Sequence, residues 1–342
     1  MTKEERINLI KELEKARGNT FIITYVTSTR SGFEVPMAMD SIRFFYDHLA
    51  NVADPKATTI DLFIHSNGGD GTVPWRLVNL IRERCKTFNL LVPNHAVSAA
   101  TLTALGADTV VMHPMGVLGP TDPMVSNEFN PKDPDTKRQL GISVEDVSAY
   151  IDLLKDDVGI RHEDELVLAF NHLADKVHPL ALGNVKRSRS QSQHLASKLL
   201  GLHMDPKVYA HKIDEIVERL TSKSFYHGHP INRREVQSEL GLNVEFPNKD
   251  VEDIMWKLYL EYEKEMLLNK KFNFIQDFVA AYPNIEPNKP QVLSLPKMKG
   301  AYIESKYFTD VHITEVQVIG VKQQNGLYVG NLATIRDGWE RE

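Results

Sequence analysis

A single cysteine, Cys85, stands among 342 residues. No intrachain disulfide can form, which excludes a disulfide-stapled scaffold and suits a reducing compartment. Cys85 lies between Arg84 and Lys86 in a helical pattern and reads as a packing residue. An excess of basic charge is missing as well. Forty Lys and Arg against 46 Asp and Glu leave a formal net charge of −6, which counts against binding to a nucleic-acid backbone. The one basic cluster, 186–189, reads as a solvated helix face. Long apolar runs are also lacking. The least charged stretch, 89–120, is interrupted by Pro93, Asn94, His95, Gly106, Asp108, His113 and Pro114, which a membrane-spanning helix would not tolerate. It reads as buried core. The opening residues interleave Lys and Glu with Ile and Leu at helical spacing, so no signal peptide is expected and the expected location is the cytoplasm.

What is present is an ordinary globular balance, with 42% apolar and 25% charged residues, enough for a sizeable core. Residues 1–18 predict an amphipathic helix ending at Gly18. From 20 to about 120, short β-branched or apolar runs (21–26, 58–65, 90–92, 110–112, 117–118) alternate with helical patterns at 37–51, 73–86 and 98–106. Near-continuous apolar strands joined through helices predict a mostly parallel sheet covered on both faces. From 143 to 270 the pattern is mainly helical, with candidates at 143–156, 163–175, 178–202, 205–221, 232–240 and 248–269. Pro283, Pro287, Pro290 and Pro296 mark 283–299 as a linker. Alternating Val311, Ile313, Val316 and Val318 predict a small β-rich tail over 300–342. The expected organisation is a catalytic α/β domain at 1–245, a helical extension at 246–282, the linker and the tail.

Four segments carry chemistry. The first is His65-Ser-Asn-Gly-Gly-Asp-Gly71, between a strand and a helix. Gly68 and Gly69 free the backbone from Cβ constraints and let N–H groups approach developing negative charge, as an oxyanion hole requires. The spacing is neither that of a dinucleotide-binding fingerprint nor that of a Walker A loop. The alternative is a plain glycine-rich turn. The second segment opens a small-residue helix with Ser98-Ala-Ala-Thr. Ser98 is a candidate nucleophile at a helix N-terminus that favours an oxyanion. The alternative is a simple N-cap serine. Thr101 and His95 are near it, but neither has a spacing that identifies a base. The third is Leu118-Gly-Pro-Thr-Asp122-Pro, whose carboxylate could orient a histidine or merely form a turn. The fourth is Ser224-Phe-Tyr-His227-Gly-His229-Pro-Ile, followed by a helix capped by Asn232 and ending before Gly241. His227 and His229 lack companion ligands at metal spacing, so no metal and no cofactor are expected.

In order and spacing, these segments over about 20–245 resemble the serine dehydrogenase proteinase (SDH) family, serine peptidases of the ClpP/crotonase-like fold related to signal-peptide peptidases. The resemblance implies a Ser, His and Asp site on an α/β fold, a peptide or protein substrate, and a homo-oligomer. It implies Ser98 as nucleophile and Asp122 as the group orienting the imidazole. His227 is the base that fits the family's His-x-x-Pro-Ile pattern, with His229 as the close alternative. Gly68, Gly69 and Ala99 are the implied oxyanion-hole residues. Relative to ClpP, the positions of His and Asp are exchanged along the chain, which triad geometry allows. Many relatives resemble membrane-anchored proteins with an N-terminal apolar helix, and this sequence shows no such helix.

Two rival readings stand beside this one. A Ser–Lys dyad would draw on Lys137, Lys132 or Lys186, but such a lysine must be desolvated, and the acidic and basic neighbours here suggest exposure. The other rival has no hydrolytic nucleophile: a peptide-binding scaffold of the same fold, or a crotonase-type acyl-CoA enzyme.

Overall fold

The alternation of strands and helices becomes one large sheet with helices on both faces. The computed structural model describes residues 3–121, 124–125, 128–133, 139–223 and 229–342. Helix α1 (Lys3–Ala16) runs into β1 (Phe21–Thr27) through Gly18 and Asn19, both at positive φ. The chain continues through α2 (Ile42–Leu49), β2 (Thr59–His65), α3 (Val73–Arg82), β3 (Thr87–Val92), a short β4 (His95–Ala96), α4 (Ala99–Leu105), β5 (Thr109–Met112) and β6 (Val117–Leu118). A helical stretch follows: α5 (Val144–Asp152), α6 (Glu163–Ala174), α7 (Pro179–Leu200) and α8 (Pro206–Glu218). Next come β7 (Ile231–Asn232), α9 (Arg233–Ser238), β8 (Val244–Glu245), α10 (Lys249–Glu265) and α11 (Phe274–Ala281). The chain closes with β9 (Gln291–Ser294), β10 (Met298–Glu304), β11 (Thr309–Lys322) and β12 (Tyr328–Arg341).

Strands β8, β5, β3, β2 and β1 are parallel neighbours in that order. Every residue of β1 is buried, Thr24 and Thr27 included, which is why it reads as a largely apolar run without alternation: a strand covered on both faces has no solvent side to encode. The pleat still sorts its side chains. Ile23 and Tyr25 join the core formed with α2, α3, α4 and α7, whereas Ile22 and Val26 join the core under α1 and α10. Helix α10, expected at 248–269, is thus one wall of the parallel sheet.

The C-terminal strands are present, and they extend the sheet. β10 pairs antiparallel with β1, from Thr24 opposite Glu304 to Thr27 opposite Ala301, and β11 then pairs with β10, β9 and β12. Residues Gln291–Ser294, within the proline-rich stretch, form β9. A buried polar network fixes the junction. Arg6 donates to both carboxylate oxygens of Glu304 at 2.9 and 3.0 Å, and Tyr262 and Thr309 donate to the same carboxylate. Among the described residues, no helix is long and apolar enough to cross a membrane.

Candidate active site

Ser98 lies between β4 and α4 with φ +54° and ψ −117°. A non-glycine residue there carries steric strain of about 1–3 kcal/mol. Its side chain makes no capping hydrogen bond, and an N-cap residue would have extended backbone angles. The plain N-cap alternative therefore does not describe Ser98. The backbone instead makes a sharp turn from strand to helix, as at the nucleophile elbows of α/β-hydrolases. Ser98 and Ala99 line a cavity of about 520 Å³, together with Gly69, Leu102, Thr121 and Ser192.

The glycine turn packs directly on this elbow. Gly68 has φ +92°, and a Cβ there would lie 2.8 Å from both Ala99 N and Ser98 Cβ. Gly69 has φ +153°, and its Cβ would lie 2.4 Å from Met37 O. Both glycines are therefore required by close backbone approach. The turn is held by Met37, whose N–H donates to Gly68 O at 2.8 Å and whose carbonyl accepts from Asp70 N at 2.9 Å. The Gly68 N–H donates to Ser66 Oγ at 3.0 Å, so it is already engaged. Among the described residues, none accepts from the N–H of Gly69 or Ala99. Those two line the cavity beside Ser98.

A three-stranded sheet, β7-β6-β4, organises the other motifs. β4 is parallel to β6, with Ala96 opposite Leu118; β6 is antiparallel to β7, with Leu118 opposite Ile231. The C-terminal ends of β4 and β6 and the N-terminal end of β7 therefore lie at one edge. In the sequence, Ser98 follows β4 by two residues, Asp122 follows β6 by four, and His227 precedes β7 by four. Asp122, His227 and Lys137 lie outside the described residues, whereas Thr121, adjacent to Asp122 in the sequence, lines the Ser98 cavity.

His229 is described. Its Nε2 lies 3.2 Å from Glu235 Oε1, and Glu235 closes the capping box of α9 with Asn232, as the Asn232 cap predicted. The histidine is thus tied to a helix cap, and it is absent from the lining of the Ser98 cavity. Lys132 and Lys186 are exposed, so neither has the desolvation that a dyad lysine needs.

The buried residue behind the glycine turn is His65. Its Nδ1 accepts from His95 N at 3.2 Å, so the ring proton sits on Nε2, which faces Thr29 Oγ1 at 3.0 Å. Complete burial, reinforced by His95, pushes its pKa down to about 3. The His65–His95 contact links β2 to β4 just before the glycine turn and the Ser98 elbow.

A second Ser, His and Asp set occurs elsewhere. His48 Nδ1 lies 2.8 Å from Ser305 Oγ and its Nε2 lies 3.1 Å from Asp310 Oδ2. All three residues are 0% exposed, so no substrate reaches Ser305. Asp310 also accepts two hydrogen bonds from Arg341, at 2.8 and 2.9 Å. Burial would raise the Asp310 pKa, but His48 and Arg341 outweigh it and hold the carboxyl below its ordinary value. This set is a structural lock between α2 and the C-terminal strands.

Sequence reasoning missed the cavity wall supplied by α7. Ser188, Gln191, Ser192 and Leu195 all line the cavity. Their i, i+3, i+4, i+7 spacing marks one helical face, which is the signal that could have found them.

Sheet, elbow and glycine turn together define the ClpP-like class of α/β fold. Within that class, residues 2–146 match the family model described as ClpP-like SDH-type serine proteinase, and the resemblance drawn from the motifs is borne out. The matched stretch contains Gly69, Ser98 and Asp122 and stops short of His227. Two uncharacterized proteins of Methanocaldococcus jannaschii are similar. MJ0137 is 27% identical over 243 residues, covering 70% of this chain and 73% of its own length. MJ1495 is 27% identical over 124 residues, covering 35% and 42%.

Proposed function

We propose that this chain is a serine endopeptidase whose nucleophile is Ser98, with His227 as base and Asp122 orienting the imidazole. The observation that carries the reading is the elbow: a strained serine with an uncommitted side chain, beside two N–H groups that no described residue uses. Convergence of the three motif-bearing strand ends at one edge supports the partners. Four extended residues span at most about 13–14 Å, a reach that lets both partner segments approach Ser98.

In this mechanism Ser98 Oγ attacks the scissile carbonyl and its proton passes to the His227 imidazole. The carbonyl oxygen gains the negative charge and is held by the N–H groups of Gly69 and Ala99. The C–N bond then breaks, and the same proton leaves with the amine. Water, deprotonated by His227, hydrolyses the acyl-serine and restores Ser98. The substrate is a peptide or unfolded protein. A homo-oligomer that shelters the cavity, working in the cytoplasm, completes the proposal.

Cleavage of fluorescein-labelled casein tests it. Ser98→Ala, His227→Ala and Asp122→Asn are each expected to lower the rate by about 10³-fold or more. His229→Ala is expected to keep most of the rate. A folded Ser98→Ala protein that cleaves like the wild type would sink the proposal.

A further inference from the structure

No step above uses Thr101, three residues after Ser98 on α4. Its side chain is fully buried, and its hydroxyl meets three backbone groups. It lies 2.8 Å from Ala96 O and 2.8 Å from Gly119 O, to which it donates, and it accepts from Gly119 N at 3.1 Å. A helical threonine ordinarily returns its hydroxyl to the carbonyl four residues back. Thr103 does so, donating to Ala99 O at 3.1 Å. Thr101 instead reaches out of its helix to two other segments. Ala96 ends β4, which runs to Ser98, and Gly119 follows β6, which runs to Asp122.

The approach is close because Gly119 has no side chain: a Cβ there would lie 2.8 Å from Val97 Cγ1. The same segment is held from its other side. Thr121 N–H donates to Leu220 O at 3.0 Å, and Thr121 O accepts from Ser192 Oγ at 2.9 Å. Asp122 is the next residue. A valine at 101 would match the shape of threonine and fill the buried site without a polar group, so the hydroxyl serves the bridge and not the packing.

We propose that Thr101 is a positioning residue: its hydroxyl clamps the Gly119–Thr121 segment onto the nucleophile helix and so fixes the distance between Ser98 and the orienting carboxylate. The inference rests on the assignment of Ser98 and Asp122 as partners. A shift of about 1 Å in such a constellation costs about 10²-fold in rate.

The test is the kinetics of labelling by a fluorophosphonate–rhodamine probe, measured against pH for wild type, Thr101→Val and Thr101→Ser. Thr101→Val is expected to lower the maximal labelling rate by about tenfold or more while leaving half-saturation within about twofold. A base that loses its carboxylate partner titrates lower, so the acid limb of the profile should move down by about one pH unit. Thr101→Ser keeps the hydroxyl and should restore both rate and profile. A folded Thr101→Val protein with wild-type kinetics overturns the inference, as does Thr101→Ser behaving like Thr101→Val. If Thr101→Val does not fold, Ser192→Ala decides. It removes the opposite anchor, and a rate loss of about threefold or more with the same shift in profile supports the clamp; no change overturns it. Absence of labelling in the wild type would instead remove the peptidase proposal on which the inference rests.

Discussion

Gly69 shows how much one residue contributes here. Its Cβ would sit on the Met37 carbonyl, and Met37 is what holds the turn against β1's neighbouring loop. Gly69→Ala must therefore displace either Met37 or the Gly69 backbone beside the cavity. The expected result is a loss of about 10²-fold or more in casein cleavage, from a mispointed oxyanion donor, and about 2–4 kcal/mol of stability from strain and overpacking. Steady-state kinetics and urea unfolding would check both. An alanine variant with full activity would mean that the oxyanion is held elsewhere. At this scale the sequence was informative where chemistry forces a residue type: paired glycines, a serine at a strand-to-helix turn, Asn232 at a cap. It was less informative on which N–H groups stay open: the Gly68 donor is taken by Ser66 two residues back, a local turn that a serine permits but does not compel. It was silent on His229, whose partner Glu235 belongs to a helix cap.

Among the elements, the junction of β2 and β4 holds a buried histidine, His65, that ties stability to pH. His65 is neutral and buried in the fold, with its pKa depressed to about 3, against an ordinary value of about 6.5 in the unfolded chain. The unfolded state therefore binds the extra proton between these limits. The stabilisation is complete above about pH 6.5 and is lost as pH falls toward 3, at about 1.4 kcal/mol per pH unit. Asp310 adds to the loss at the acid end, since its folded pKa lies below its ordinary value and its contribution disappears as it protonates. Urea titrations at several values between pH 7.5 and 4.5 should show stability falling for the wild type. His65→Gln should be less stable at pH 7.5 and should lose less on acidification. Parallel curves for the two proteins would mean that His65 is not the group responsible. Helix periodicity gave most boundaries from α5 to α10 to within a few residues, and four of these helices, α7 to α10, also carry a cap or a proline at the start, as at Pro179, Pro206, Asn232 and Asn248. α11 was not among the candidate helices: its eight residues, capped by Asn273, lie inside the expected helical extension and end just before Pro283, too short for a clear period.

For the whole molecule, the decisive feature is the return of the chain's last strands to its first. β10 covers the edge of β1, and Glu304 on β10 neutralises Arg6 on α1 in a fully buried pair. The alternation of apolar residues at 311–318 revealed strands, but sequence patterning cannot say which edge a strand joins; that is set by the long-range pairing of Thr24 with Glu304. Glu304→Ala leaves the Arg6 guanidinium buried without its carboxylate and should cost about 3–5 kcal/mol. Deleting residues 300–342 should leave an open β1 edge and yield aggregated protein with no casein cleavage. A soluble, active truncation would show that the C-terminal strands are dispensable to the parallel sheet and to the proposed site.

The central claim is that Ser98 is an activated nucleophile. The most direct measurement is covalent labelling of the 342-residue protein by a fluorophosphonate, with the modified residue located by mass spectrometry. The account predicts a single adduct on Ser98, absent from Ser98→Ala and reduced by about 10³-fold in His227→Ala. A folded wild-type protein labelled at another serine, or at none, would contradict it.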